Sequence, residues 1–403
     1  MEPDPIEITS FAVGGRGVGR VTDGRVVFVE GGMPGDRLIF EVVRERRRFI
    51  EARVERVLEP SAQRVDPWCE HRVGGCGGCD WQHVDERARA GFQLALVQDV
   101  IDRQVRSEVS ALHGGSVTSL GYRTSTRMIV SNGRPGFRRS RSDEAIVVDS
   151  CGVLAPGLRW ARNVDWGDST ELSLRCSEAT GEALAVVSPS VGSIDAPEHV
   201  VLVGADDLQR GISTSIDETA AGRRFRLSAG SFFQSGPQAV ELLTETIAGR
   251  VGSVLETAST AIDLYAGVGV FASVLGHRFP SVQWVVVESN RAAVADTRVN
   301  LADIRANTVA SRVERFVPGR ASVVIADPPR GGLGKRAVAV VAASGAPTVV
   351  LISCDLGSFG RDARLLVDMG WSLTGVDVLD LFPQTSHIEI VSVYEREKSA
   401  REG

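Results

Sequence analysis

Lysine is almost missing from this chain: Lys335 and Lys398 are the only two among 45 basic residues. Genomic base composition accounts for such a bias, and arginine is left to carry nearly all the positive charge. No apolar run reaches the roughly 18 residues that a membrane span requires. The first residues, MEPDPIEITS, are acidic and carry none of the apolar core of a secretion signal. A membrane protein and a disulfide-framed secreted protein are therefore not expected, and the expected compartment is the cytoplasm. The compositional marks of disorder are absent as well, because 43% hydrophobic and 24% charged residues over 403 positions suit two or three ordinary globular domains. The net charge of -6 is only weak evidence against a polyanionic partner, since phosphate binding depends on local clusters of cations.

Residues 5 to 60 alternate short β-type runs (RVVFVEGG, DRLIFEVV, RFIEARVERVLEP) with the glycine turns GGRGVGR and GGMPGD, a pattern that predicts a small antiparallel barrel. So short a segment has a marginal core of its own, so it reads as an appendage of a larger body. Its basic run RERRR, Arg44 to Arg48, could lie on phosphates or simply be a solvated strand and turn. A cysteine-rich turn, WCEHRVGGCGGCDWQH, follows, and then apolar residues near helical spacing from about Val84 to Val105. From about Ser116 to Leu227 the β-type pattern returns. Within it, GYRTSTRMIVSNGRPGFRRSRS carries Arg123, Arg127, Arg134, Arg138, Arg139 and Arg141 with no acid between them and with Tyr122 and Phe137 interleaved. Guanidinium groups pair with phosphates and flat rings stack on bases, so this stretch reads as an RNA-facing surface. From Ser228 onward strands and helices alternate, with apolar runs AIDLYAG, VQWVVVES, ASVVIADPP and APTVVLISC. A doubly wound α/β domain around a parallel sheet is expected there.

In AIDLYAGVGVF an acid and two glycines stand where a strand turns into a helix, and Gly267 and Gly269 permit close approach of a ligand to the backbone. Glu288 ends the next strand and is suited to the two hydroxyls of a ribose. The third glycine of the dinucleotide fingerprint is replaced by Ala272, so the pattern points to an adenosine cofactor without choosing between a dinucleotide and S-adenosylmethionine. Asp327 in DPPRGGL ends another strand in a stiff loop. Cys354 ends a further one, ahead of a helix expected to start near Ser358 that would lower the thiol's pKa. A lone cysteine at such a point is more often core packing. Glu389 is a carboxylate on an otherwise apolar, alternating strand. The remaining cysteines are Cys69, Cys76, Cys79, Cys151 and Cys176. Without a secretion signal they favour metal or catalytic roles over disulfides.

FFQ at 232 to 234, DLYAGVGVF, DPPRGGL, SCDLGSFGRD and FPQTSHIE, in this order and spacing, resemble the RNA uracil-C5-methyltransferase family over nearly the whole chain. The resemblance implies a small TRAM-type, OB-like barrel over 1–60. It further implies a central β domain over 61–227 with iron-sulfur cysteines and an RNA-binding face, its 84–105 helix packing on the catalytic part, and a Rossmann-like methyltransferase domain over 228–403. It also implies Cys354 as a nucleophile that adds to C6 of a uridine, Glu389 as general base, and Gln234, Tyr265, Gly267, Glu288 and Asp327 as S-adenosylmethionine contacts. Cys69, Cys76, Cys79 and Cys151 correspond to the ligands of a 4Fe-4S cluster, with a four-cysteine zinc site as the alternative, while Cys176 lies outside every motif and reads as packing.

Three positions depart from the family pattern: Val270 stands in place of Asn in the glycine loop, Asp355-Leu356 in place of Asn-Pro after the nucleophile, and one extra residue separates Cys69 from Cys76. Family members acting on the tRNA T-loop generally lack the cluster cysteines, so the resemblance favours 23S rRNA as the substrate, with tRNA as the alternative and a monomer as the expected state. A cytosine-C5 enzyme is disfavoured because DPPR stands where those enzymes carry a cysteine after the proline. A catalytically silent iron-sulfur RNA-binding protein and a nicotinamide oxidoreductase are the other rivals; hydride transfer leaves Cys354 and Glu389 without a task.

Overall fold

The structure, a computed structural model, describes residues 4–396; Lys398 lies outside them. Strands β1 (Ile6–Phe11), β2 (Gly17–Arg20), β3 (Val26–Glu30), β4 (Arg37–Glu45) and β5 (Phe49–Glu59) close into a barrel in the order β1-β2-β3-β5-β4. Every second residue of these strands points inward, and Ile6, Ile8, Val27, Val29, Leu38 and Phe40 fill the interior. One pairing departs from the all-antiparallel expectation: β5 hairpins back along β4 and then runs parallel to β3. The barrel rests on the cysteine segment, where Phe11 and Met33 pack with Trp81 and Val84, and the Trp81 indole donates to Gly15 O at 3.1 Å.

β6 (Leu112–Ser116) precedes a six-stranded sheet made by β7 (Ser125–Ser131), β8 (Arg134–Arg138), β9 (Ala145–Val147), β10 (Glu171–Cys176), β11 (Ala183–Ser188) and β12 (Val200–Gly204) in the order β12-β11-β10-β7-β8-β9. Cys176 is buried in its core beside Leu158 and Leu174. A hairpin, β13 (Ser215–Ala220) with β14 (Arg223–Ser228), leads into the last and largest sheet.

That sheet has eight strands: β15 (Thr260–Leu264), β16 (Gln283–Glu288), β17 (Ala306–Ala310), β18 (Val323–Ala326), β19 (Thr348–Ser353), β20 (Ser372–Asp380), β21 (Glu389–Glu395) and β6, in the order β17-β16-β15-β18-β19-β21-β20-β6. β15 to β19 are mutually parallel, and β21 runs against β19 and β20. Their apolar runs serve two layers at once. Val323, Ile325, Val350 and Ile352 face one core, and Val324, Ala326, Val349 and Leu351 face the other. Covering both faces is what makes such strands continuously hydrophobic.

The segment between the barrel and the central sheet does not form part of that sheet. Helix Glu86–Val100 and the wider turn Ile101–Val105 set Val97, Val100, Ile101 and Val105 into the second of those cores, against Phe359 and Ala363. β6 then pairs in parallel with β20 and takes up hydrogen bonds that β20 would otherwise present as an open edge. Among the described residues no helix is long and apolar enough to cross a membrane.

Candidate active site

Strand order reverses at β15, with β16 and β17 on one side and β18 and β19 on the other. Ligands of open α/β sheets bind in the crevice outside the carboxyl ends at such a point. Here Glu288 ends β16, Tyr265 follows β15, Asp327 follows β18 and Cys354 follows β19, while Glu389 opens the oppositely directed β21 at the same edge. Ser353 pairs with Ile390, so one step further in the same register Cys354 stands opposite Glu389. Five residues singled out from the sequence thus line one edge of the sheet on five consecutive strands.

On the glycine side, Gly267 and Gly269 both have positive φ, 56° and 85°, as only glycine tolerates freely. A Cβ on Gly267 would meet no outside atom nearer than Phe232 O at 3.7 Å, whereas one on Gly269 would press on Thr297 Cγ2 at 3.2 Å. The first glycine therefore leaves room for a ligand, and the second lets the following helix, Val270–Arg278, pack closely. The Glu288 carboxylate accepts the Gly267 N–H at 2.9 Å and the Ser289 and Asn290 N–H groups at 2.6 Å. These bonds fix its orientation, and ribose hydroxyls would share its oxygens. Gln234 Nε2 donates to Asp327 Oδ2 at 3.0 Å, and the Tyr265 hydroxyl is 3.4 Å from Glu314 Oε1. Below the loop, Asp263 is fully buried. One oxygen accepts Ala272 N–H at 3.2 Å and the other has no partner, and burial pushes its carboxyl up to about 8. Asp327 is raised to about 6 by burial, with the Gln234 bond opposing.

On the thiol side, Cys354 is half-buried. Its pKa is pushed up to about 11, first by burial and then by the Glu389 and Asp327 carboxylates, with Arg330 opposing. The expectation of a thiol acidified by a helix start is thereby corrected. The helix begins at Leu356, and Asp355 caps it by accepting Ser358 N–H at 2.7 Å, so the carboxylate of Asp355 takes the positive end of the helix. Glu389 is buried and raised well above the usual carboxylate range, first by burial and then by Asp327. Arg330 is oriented by His387, whose Nε2 lies 3.4 Å from its Nη2.

The segment leading into Glu389 is held from outside. The Tyr122 hydroxyl donates to Pro383 O at 3.2 Å, Trp81 N–H to Gln384 O at 3.0 Å, and Ser386 N–H to Asp80 Oδ1 at 2.8 Å. The cysteine loop, remote from Cys354 in sequence, is therefore packed directly on the segment that carries the candidate base. The loop after Asp327 is tied down by buried Asp362, which accepts Leu333 N–H at 2.6 Å and Gly334 N–H at 3.1 Å.

Cys69, Cys76, Cys79 and Cys151 all line one cavity, together with Arg123 and Phe137. Burial raises the thiols of Cys76, Cys151 and Cys79, the last to about 12. Among the described residues no three His, Cys, Asp or Glu side chains stand close enough to hold a single metal ion.

The arginine-rich stretch is less cationic than its sequence. Arg134 pairs with Asp149, Arg138 with Glu171 and Asp143, Arg139 with Glu144, and Arg141 with Glu30. Folding brings in acids from outside the acid-free window, and only Arg123 and Arg127 of the six lack an ion pair among the described residues.

Sequence reasoning passed over Arg330, Asp362 and Asp80. Arg330 follows the two prolines after Asp327, Asp362 ends SCDLGSFGRD and Asp80 follows Cys79 in the cysteine-rich turn; their charge was the available signal.

The methyltransferase small domain model matches residues 234–343, which span the glycine loop and Asp327. An RNA methyltransferase of Streptomyces coelicolor is 30% identical over 431 residues, covering 97% of this chain and 92% of that protein. The 23S rRNA (uracil(1939)-C(5))-methyltransferase RlmD of Chromohalobacter salexigens is 30% identical over 437 residues, covering 98% and 90%. In fold, the chain matches the crystal structure of the Pyrococcus abyssi tRNA (uracil-54, C5)-methyltransferase with a TM-score of 0.72 and 20% identity, over 97% of this chain and 99% of that one. The strand-end site and these matches define a Rossmann-like methyltransferase body with a small barrel and a central sheet attached. More particularly, the chain belongs to the RNA uracil-C5-methyltransferase family.

Proposed function

We propose that this protein methylates C5 of a uridine in 23S rRNA, using S-adenosylmethionine and a covalent adduct on Cys354. The observation that carries the reading is that Cys354, directly after the Ser353–Ile390 pair of β19 and β21, lies within electrostatic reach of Glu389 and Asp327. S-adenosylmethionine supplies an electrophilic methyl group; Gln234, Tyr265, Gly267, Glu288 and Asp327 would hold it, and a Cβ on Gly267 would meet no outside atom nearer than 3.7 Å, which leaves the backbone there open to a ligand. C5 of uracil is too weak a nucleophile by itself. Addition of the Cys354 thiolate to C6 makes C5 electron-rich, C5 takes the methyl, Glu389 removes the C5 proton, and the C6–S bond breaks to release the thiolate. With its pKa raised, Cys354 rests as the thiol in the free enzyme, so its proton passes to solvent water as the base enters and Glu389 stays ionised to take the C5 proton. Burial and Asp327 raise Glu389 as well, so its carboxylate is a stronger proton acceptor than a solvated one.

Cys69, Cys76, Cys79 and Cys151 would hold a 4Fe-4S cluster. All four cysteines line one cavity, as shared ligation of one iron-sulfur cluster requires. Through Asp80 and Trp81 this loop would keep the Glu389 segment in place, a structural role.

The test is nucleoside mass spectrometry of unmodified 23S rRNA and tRNA after anaerobic incubation with the protein and S-adenosylmethionine. 5-Methyluridine in 23S rRNA, absent with Cys354→Ala, is the expected result; 5-methyluridine in tRNA alone moves the substrate, and persistence in the Cys354→Ala variant ends the covalent mechanism. Glu389→Gln should accumulate an RNA adduct that survives denaturing electrophoresis. Iron and sulfide analysis after anaerobic reconstitution should give about four of each per chain, and clearly less with Cys79→Ser.

A further inference from the structure

Beyond the catalytic edge, one open cavity of about 480 Å³ is lined by Arg312, Glu314, Arg315, Leu333, Lys335 and Arg336 together with Gly334. Two elements build it. The short turn Val313–Arg315 follows β17, and the helix Gly334–Ala343 begins where the DPPRGGL loop ends. Four cations face one carboxylate, and that carboxylate, Glu314, already lies beside the Tyr265 hydroxyl. Unlike Arg134, Arg138, Arg139 and Arg141 of the central region, none of the four has an ion pair among the described residues. Lys335 is also the only lysine in the described region. The N–H groups of Leu333 and Gly334 are taken by Asp362, so an anion here would be met by side chains. With Leu333 as its one large apolar wall, the cavity suits a charged group better than a base.

We propose that this cavity binds backbone phosphates of the RNA strand adjoining the target nucleotide. The inference rests on the reading of the chain as an RNA methyltransferase. The distance is right: Arg330, beside the reaction centre, is five residues from Lys335, at most about 18 Å of chain. The loop between them turns back, with Gly332 N–H on Pro329 O at 2.7 Å, so the true span is shorter, a few nucleotides of a strand whose target base is swung into the site. Guanidinium forks match phosphate oxygens geometrically, and a cluster of unpaired cations is where counterion release yields affinity. The arginines of the central sheet, mostly offset by acids, have less to contribute.

The experiment compares the wild-type protein with an Arg315→Gln/Arg336→Gln double variant. Both side chains are exposed, so folding is not at stake. Each lost contact to single-stranded RNA flattens the salt dependence by about 0.7, so the loss of affinity between about 50 and 200 mM salt should shrink about sevenfold. Binding of S-adenosylhomocysteine should stay unchanged, which separates this cavity from the cofactor crevice. In parallel, bound RNA should protect Lys335 from amine acylation, read by peptide mass spectrometry, and S-adenosylhomocysteine alone should not. An unchanged salt slope with Lys335 equally reactive in the complex overturns this inference and leaves the methyltransferase reading intact. Failure of the wild-type protein to bind RNA at all overturns both.

Discussion

Arg89 and Asp380, 291 residues apart, form an ion pair at 2.6 Å with 3% and 2% of their side chains exposed. It joins the first turn of helix Glu86–Val100 to the last residue of β20, just before the segment that leads to Glu389. Neither partner is fully satisfied, since Arg89 Nη1 and Asp380 Oδ1 have no hydrogen bond. Such a pair costs much to break and little to replace. Asp380→Ala should lower stability by about 3–5 kcal/mol, because it strands a buried guanidinium, whereas Arg89→Met with Asp380→Leu should recover most of the loss. Urea denaturation checks both, and equal losses in the two variants would contradict the account.

The reactivity of Cys354 should betray its surroundings. With a pKa near 11, about one thiol in a thousand is ionised at pH 8. Alkylation by iodoacetamide should therefore be slow and should rise about tenfold per pH unit up to roughly pH 10. Arg330→Gln removes the one cation that opposes the shift and should slow the reaction further. Peptide mass spectrometry of the Cys354 peptide follows this directly; a rate that levels off near pH 7 would show an acidified thiol instead.

Asp263 makes stability depend on pH. Its folded-state value of about 8 lies above the ordinary 3.8, so the folded protein holds a proton that the unfolded chain releases. The stability tied to that proton is whole below about pH 4 and lost as pH rises through 8, on the order of 5 kcal/mol in all. Asp263→Asn should gain on the wild-type protein steadily between pH 5 and pH 8.5, and a difference independent of pH would refute the assignment.

Gly332 turns the DPPRGGL loop with φ of 70°. A methyl group there would run into Asp362, Arg361 and Ser358. Gly332→Ala should cost about 1–3 kcal/mol and raise KM for S-adenosylmethionine through displacement of Asp327. Gly331→Ala, which meets nothing within 4 Å, should be near neutral in thermal melts and kinetics.

Much of the catalytic edge was legible because chain punctuation marks strand ends. Gly267 and Gly269, the two prolines after Asp327 and the polar turn after Cys354 each stop an apolar run where a parallel sheet opens to ligand. Long-range pairing left no such mark. Nothing in LHGGS announces that β6 will lie beside β20, and the parallel join of β3 with β5 is hidden in a run of turns that reads as simple hairpins. Charge was the least legible quantity. The acids that offset Arg134 to Arg141 and the carboxylates that raise Cys354 come from other parts of the chain, so counting within a window overstated the cationic face and understated the thiol's pKa.

The order of synthesis gives β6 a consequence of its own. Residues 112–116 leave the ribosome some 256 positions ahead of β20, the strand they pair with. At about 5–20 residues per second, that strand and the preceding helix, with Val97, Val100 and Ile101 unsheathed, wait for tens of seconds. The barrel can close on its own schedule; the catalytic body cannot, and its edge becomes complete only when the end of the chain arrives. Conditions that slow translation should therefore favour aggregation of the nascent chain, and a trigger-factor-like chaperone should bind at 97–116 before anywhere else.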